Sequence, residues 1–230
     1  MPKTEIVFLL DESGSMDAVR DKTIQGHNGY LEGIRNMQDT FITLVKFDTS
    51  GIVHVYDGKE VANAPDLSRD TYRPNAGTPL YDAIGKTVDW LKKRLKTQKD
   101  VGAIFVILTD GEENSSREFT REKIFALIKQ CRKKGWEFIF LAANQDAFAV
   151  GMGMGMAKGN ISNYNVQETG AMMMAAAYGT QSYAGGQSAG AAAGAAEYSN
   201  LMGTDEELPE FKVDHTPGLK EFIQSQNKGK

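Results

Sequence analysis

Thiol and imidazole are scarce in this chain: its 230 residues include one cysteine, Cys131, and three histidines, His27, His54 and His215. A lone cysteine excludes an internal disulfide, and on a helix it reads as a small packing residue rather than a reactive thiol. The histidines are isolated from one another and from any nucleophile in sequence, so packing or surface roles are expected of them. No apolar run approaches the roughly 20 residues that span a bilayer. The opening Met1-Pro2-Lys3-Thr4-Glu5 passes into strand without a charged and apolar leader. A cytoplasmic location is the expectation. Basic excess is missing too: 26 Lys and Arg against 30 Asp and Glu leave a formal charge of −4, which gives no overall field to hold a phosphate backbone. Lys92-Lys93-Arg94 and Arg132-Lys133-Lys134 read as solvated helix faces or ends. Gly14 stands without the Gly-x-x-x-x-Gly-Lys-Ser/Thr pattern of a phosphate loop. Nucleic acid is not an expected partner.

What the chain does have is an apolar strand, Ile6-Val7-Phe8-Leu9-Leu10, that runs into Asp11-Glu12-Ser13-Gly14-Ser15. In a parallel sheet the carboxyl end of a strand opens into the crevice where ligands bind, and a following turn can aim alternate side chains at one point. Asp11, Ser13 and Ser15 share that parity. Their oxygens are hard donors, suited to Mg²⁺, Mn²⁺ or Ca²⁺ and poorly suited to zinc or copper. Two later segments have the form to complete a shell: Gly77-Thr78-Pro79 before a helix, and Ile104 to Leu108 followed by Thr109-Asp110-Gly111. Taken singly, each has a plain explanation, since Asp and Ser fill strand-to-helix turns, Thr78 suits a helix cap and Asp110-Gly111 is a turn dipeptide. Together they point to metal binding.

The remaining pattern predicts an α/β fold. Residues 4 to 10 form a first strand and Asp17 to Met37 a helix. Thr40 to Phe47 and Gly51 to Tyr56 form a hairpin around Asp48-Thr49-Ser50-Gly51, which supplies one antiparallel edge strand. Leu80, Ile84, Val88, Leu91 and Leu95 make a helical stripe with Pro79 in its first turn. Val101 to Leu108 is an apolar strand. Thr120 caps a helix with Ile124, Leu127, Ile128 and Cys131 inward, Gly135 ends it, and Trp136 to Ala142 is a further strand. Such alternation implies a doubly wound, mostly parallel, Rossmann-like sheet. After Gly151 the composition turns to Gly, Ala and Met. Asn160 to Val166 suits a last edge strand and Glu168 to about Tyr183 a closing helix. The expected organisation is a domain over 1–184, a Gly/Ala-rich flexible linker over 185–203 and a polar tail or docking peptide over 204–230.

The set Asp11-x-Ser13-x-Ser15, Thr78 and Asp110, in that order and context, resembles the metal-ion-dependent adhesion site of von Willebrand factor type A domains. The likeness covers residues 1 to about 165. It implies that Ser13 and Ser15 bind the cation directly, that Asp11 acts mostly through water, and that Thr78 and Asp110 exchange direct and water-mediated roles. The implied cofactor is Mg²⁺ or Mn²⁺, with Ca²⁺ less suited, and the implied ligand is an Asp or Glu of a protein partner at the open position. Bacterial and phage relatives of that family work inside cells beside ring-forming ATPases of the AAA type or in multiprotein assemblies, so a partner of that kind is expected.

Three further readings bear on this one. A structural subunit would use the C-terminal extension for assembly, the metal only stabilising loops. An Mg²⁺-dependent phosphatase of the haloacid-dehalogenase kind would need an acid where Ser13 stands, and a serine hydroxyl is a poor proton donor at neutral pH; no enzyme activity is expected. In the tail, Asp205, Glu206, Glu207 and Glu210 offer carboxylates to the site of the same or a neighbouring molecule. Glu112, Glu113 and Asn114 read as a solvated acidic loop, and Asp48 likewise. The methionine repeats fit either an adaptable contact face or a helix packed on the sheet.

Overall fold

A computed structural model describes residues 3–98, 100–110, 113–143, 147–164 and 169–185. Six strands form one sheet: β1 Lys3–Asp11, β2 Thr40–Asp48, β3 Gly51–Glu60, β4 Val101–Thr109, β5 Glu137–Ala143 and β6 Ile161–Tyr164. Their order is β3-β2-β1-β4-β5-β6. Only the β2–β3 pair is antiparallel; the other four pairs are parallel. Five helices flank the sheet: α1 Arg20–Ile34, α2 Leu80–Arg94, α3 Arg121–Arg132, α4 Ala147–Gly153 and α5 Thr169–Ala184.

The unbroken apolar runs of β1 and β4 follow from burial on both faces, where period-two alternation between oil and water has no use. Ile6, Phe8 and Leu10 point to one core shared with Tyr30, Leu31 and Ile34 of α1 and Met172, Met173 and Ala176 of α5. Val7 and Leu9 point to the other, against Ala83, Ile84 and Val88 of α2 and Ile124, Ile128 and Cys131 of α3. Each fully buried large side chain contributes about 1.5–3 kcal/mol. The edge strand β3 instead alternates, leaving Val53 and Val55 exposed.

Several elements depart from the sequence expectation. The helix expected over Asp17–Met37 starts as a 3₁₀ turn, Gly14–Val19, becomes α-helical at Arg20 and stops at Ile34. Pro79 is the cap residue of α2 rather than part of its first turn, which leaves Thr78 just outside the helix. Strand β3 runs four residues past Tyr56, with register shifts against β2 near Leu44. Helix α4 is an additional element, its Ala147 and Gly151 buried. The edge strand and closing helix expected after Asn160 are present as β6 and α5; Val166 lies outside the described residues, as do the linker and tail from residue 186 onward.

Neighbouring β1 and β4 lead outward to opposite halves of the sheet, β1 toward β2 and β4 toward β5. The gap at their carboxyl ends is a topological switch point, the usual seat of ligands in open α/β sheets. Asp11 ends β1, and Asp110 follows the last residue of β4.

Candidate metal centre

Asp11 is fully buried. One carboxylate oxygen accepts the Ser13 backbone N–H at 2.8 Å, an Asx turn that bends the chain out of β1. The other accepts the Thr109 hydroxyl at 2.5 Å, and the Asp11 carbonyl accepts the Tyr72 hydroxyl at 2.7 Å. Ser13 Oγ and Ser15 Oγ lie 3.2 Å apart, and the Ser15 hydroxyl donates to Asp110 at 2.8 Å. Asp11, Ser13, Ser15 and Asp110 therefore form one hydrogen-bonded group. The direction of these bonds matters. Hydroxyls that give their protons to carboxylates keep lone pairs free, so Ser15 remains an oxygen donor for a cation while bonded to Asp110.

The Thr78 loop is latched to the same turn through backbone. Gly14 N–H donates to the Ala76 carbonyl at 2.9 Å and Asn75 N–H to the Glu12 carbonyl at 2.7 Å. Ala76 sits at φ 62°, a left-handed conformation that costs a residue with a Cβ about 1–2 kcal/mol. At Gly77 an added Cβ would stand 2.6 Å from Ser115 Oγ and 3.1 Å from Thr49 Cγ2, so a side chain there would push the flanking loops' side chains aside. Thr78, 2 % exposed, exchanges backbone bonds with Asn114: its N–H donates to Asn114 Oδ1 at 3.0 Å and its carbonyl accepts Asn114 N–H at 3.2 Å. All five expected residues thus lie at the carboxyl edge of the sheet, Asp11 ending β1 and the others on the turns beyond it, four of them linked by hydrogen bonds and Thr78 held by its backbone.

Burial raises the Asp11 carboxyl to about 6, against the hydrogen bonds from Thr109 and Ser13 and with help from nearby Asp110. Burial likewise raises Asp110, partly offset by the bond from Ser15. Two partly desolvated carboxylates stand together, and among the described residues no ion pair reaches either. The nearby ammonium of Lys46 is committed to Glu12 at 2.7 Å and the Thr71 carbonyl at 2.8 Å. Among the described residues no group of three or more His, Cys, Asp or Glu converges on a point where a metal would sit. The oxygens bonded together here are those of two carboxylates and of the Ser13 and Ser15 hydroxyls, with Thr78 on the adjoining loop. That set suits a hard cation that keeps several waters, as Mg²⁺ does, and does not suit an all-protein cage.

Three residues around the centre have roles the sequence did not disclose. Glu113 is no solvated rim: its carboxylate accepts the Tyr81, Ser115 and Ser116 N–H groups at 2.9, 2.8 and 2.7 Å, which ties the loop after β4 to the start of α2. Asp48 turns inward on its hairpin, accepting Ser50 and Gly51 N–H at 2.6 and 3.1 Å. Asp82 accepts three successive N–H groups, of Arg117, Glu118 and Phe119, at 2.9, 3.0 and 2.8 Å. Burial opposes its charge, but those donors outweigh burial and hold its carboxyl below the usual range. Glu112 lies outside the described residues. His54 packs on the edge strand, its ring 2.6 Å from Asp57 and edge-on to Trp90. The Thr109 bond to Asp11 could have been suspected from its place directly before Asp110 at the end of β4.

Beside Thr78 an open cleft of about 690 Å³ runs between the β2–β3 turn and the loop after β4; Thr49, Ile52, Pro79, Lys86, Ser115 and Arg117 line it.

No family model matches the sequence, and no curated protein matches it either. Solved structures do. The pilus adhesin SpaC from Lactobacillus rhamnosus GG superposes with a TM-score of 0.61 at 13% identity, over 78% of this chain and 30% of that one. A von Willebrand factor type A structure from Catenulispora acidiphila gives 0.50 at 12% identity, over 78% and 42%. The vWF domain of the type V pili tip protein Mfa5 from Porphyromonas gingivalis gives 0.54 at 8% identity, over 91% and 99%. The chain spans less than half the length of the first two. Identities this low speak to architecture alone, and what they show is that this chain has a von Willebrand factor type A-like fold.

Proposed function

We propose that Asp11, Ser13, Ser15, Thr78 and Asp110 hold a divalent cation, Mg²⁺ or Mn²⁺ before Ca²⁺, and that the centre binds a carboxylate of a protein partner. The observation that carries this reading is the pair of neighbouring carboxylates, buried Asp11 and half-buried Asp110, bonded to hydroxyls and without a cationic partner among the described residues. When bound, the cation supplies positive charge and an open position for an acidic oxygen. Ser13 and Ser15 present hydroxyl oxygens to it, and Asp110 fixes Ser15 by accepting its hydrogen bond. Asp11, locked by Thr109 and the Ser13 amide, contributes charge from behind the hydroxyls. The action is coordination without bond chemistry: Ser13 stands where a phosphoryl-transfer enzyme would need a proton donor. Two of the solved structures that share the fold carry the names pilus adhesin and pili tip protein, which favours a binding module over an enzyme. The partner expected is a component of an intracellular multiprotein assembly, a ring-forming ATPase among the candidates.

Acetate is the simplest probe. With protein-bound Mn²⁺, its carboxylate carbon should relax faster than with the same concentration of free Mn²⁺, and Thr78→Ala should weaken the effect. If Mn²⁺ binds yet acetate relaxation shows no enhancement, the centre does not take carboxylates and the proposal fails.

A further inference from the structure

The cleft beside Thr78 is unusual in how its charges are used. Asp48 is committed to the hairpin amides and Asp82 to three backbone N–H groups. Lys86 pairs with Glu118 at 2.6 Å. That leaves Arg117, which has no carboxylate partner among the described residues. Arg117 thus lies in a cleft beside the candidate metal centre as a guanidinium that no carboxylate pairs among the described residues, although Asp48, Asp82 and Glu118 share the lining, and Ile52 and Pro79 give the same cleft an apolar wall. A peptide that places one carboxylate on the metal and a second near Arg117, with apolar residues between or beside them, fits this surface.

The chain carries such a peptide: Asp205-Glu206-Glu207-Leu208-Pro209-Glu210-Phe211. Its tether starts at the opposite pole. Near the end of α5 the Tyr183 hydroxyl accepts Ala103 N–H at 3.0 Å and donates to the Gly135 carbonyl at 2.7 Å, and Gln181 reaches the Gly33 carbonyl. Those groups mark the amino edge of the parallel strands, whereas the centre lies at the carboxyl edge. The separation is about one nine-residue strand, roughly 30 Å. From Gly185 to Asp205 the sequence provides about 20 residues, mostly Gly, Ala and Ser, and a stretch of that length reaches at most roughly 65 Å. The tether is long enough to reach its own centre. Over such a distance the effective concentration is on the order of millimolar, above that of free partners at micromolar levels.

We infer that the acidic segment 205–210 is an intramolecular ligand of the metal centre and the Arg117 cleft, one that an external acidic partner must displace. This rests on the metal-dependent reading above and adds regulation to it. The test uses the full chain, a full-length variant with Asp205→Asn, Glu206→Gln, Glu207→Gln and Glu210→Gln, and a labelled synthetic peptide of residues 203–213, with Mg²⁺ binding measured on the same samples. The variant should bind the peptide in Mg²⁺, lose it in chelator, and bind it about tenfold more tightly than the parent does. Adding Arg117→Gln to the variant should weaken the peptide several-fold while Mg²⁺ binding persists. Equal peptide affinity in parent and variant, or no peptide binding to Mg²⁺-loaded protein, overturns the inference and leaves the metal reading standing. Absence of Mg²⁺ binding overturns both. A parent that forms Mg²⁺-dependent multimers, monomeric in the variant, would place the segment on a second copy and overturn the intramolecular form.

Discussion

His27 shows how a single residue can set the acid limit of the fold. It sits on α1, fully buried, edge-on to Phe8 at 4.9 Å, with Nδ1 3.2 Å from Asn28 Oδ1 and Nε2 without a hydrogen-bond partner among the described residues. Burial lowers its imidazole to about 4, against the bond from Asn28. The unfolded chain therefore takes up a proton near pH 6.5 that the native state refuses until about pH 4, and stability falls as pH drops through that window. The loss between pH 7 and 4.5 should be about 2 kcal/mol from this group. Denaturant unfolding of the parent beside His27→Gln at both pH values isolates it, because other titrating groups, Asp11 among them, cancel in the comparison; equal pH dependence in the two proteins would refute the assignment. Gly77 is the second telling residue. Gly77→Val should weaken Mg²⁺ binding about tenfold, or ~1.4 kcal/mol, by forcing the Thr78 loop off Thr49 and Ser115, and unchanged affinity would show that the loop has slack the structure does not suggest. At this scale the candidate ligands were legible, since Asp11, Ser13, Ser15, Thr78 and Asp110 sit at strand and helix boundaries where the chain must turn. Most of their supports were not, because Asn114, Asp82 and the Glu113 bond to Tyr81 join residues more than 30 positions apart, which no local spacing encodes.

At the scale of elements, α1 and α5 form the contact on which the C-terminal part of the domain depends. An added Cβ at Gly26 would stand 2.8 Å from Thr169 Cγ2 and 3.1 Å from Met173 Cγ, so the two helices approach at closer than ordinary side-chain distance. Tyr30 and Thr180 share a hydroxyl contact at 3.0 Å farther along. Gly26→Leu should destabilise the domain by about 1–3 kcal/mol through overpacking, with faster amide exchange concentrated in α5 and little change in α2 or α3; uniform change across all helices would mean that α5 does not dock as a separate layer. The strands and the α2 and α3 stripes were legible because burial on two faces or one writes a period into the sequence. The start of α1 was not, since the turn that presents Ser13 and Ser15 continues as a 3₁₀ segment shaped by Gly14 bonding to Ala76 rather than by its own propensity. Helix α4 was hidden for a related reason: its seven residues, Ala-Phe-Ala-Val-Gly-Met-Gly, make about two turns, too few to write a helical stripe, and its place is fixed by contact, with the Ile161 side chain lying where a Cβ on Gly151 would go.

For the molecule as a whole, the doubly wound sheet gives the domain two unlike poles. The carboxyl edge gathers the loops of β1, α2 and β4 around two raised carboxylates, while the amino edge receives the end of α5. Among the described residues no helix is long and apolar enough to cross a membrane. The central claim is that the carboxyl edge is a divalent-cation site built from Asp11, Ser13, Ser15, Thr78 and Asp110. Calorimetric titration of Mg²⁺ and Mn²⁺ into metal-stripped protein, beside Asp11→Ala and Thr78→Ala variants shown by circular dichroism to be folded, tests it most directly. The account predicts one saturable site in the parent, weakened at least tenfold in both variants. No saturable binding in the parent, or equal binding in the variants, would contradict it and leave these five residues as the turn chemistry of an α/β scaffold.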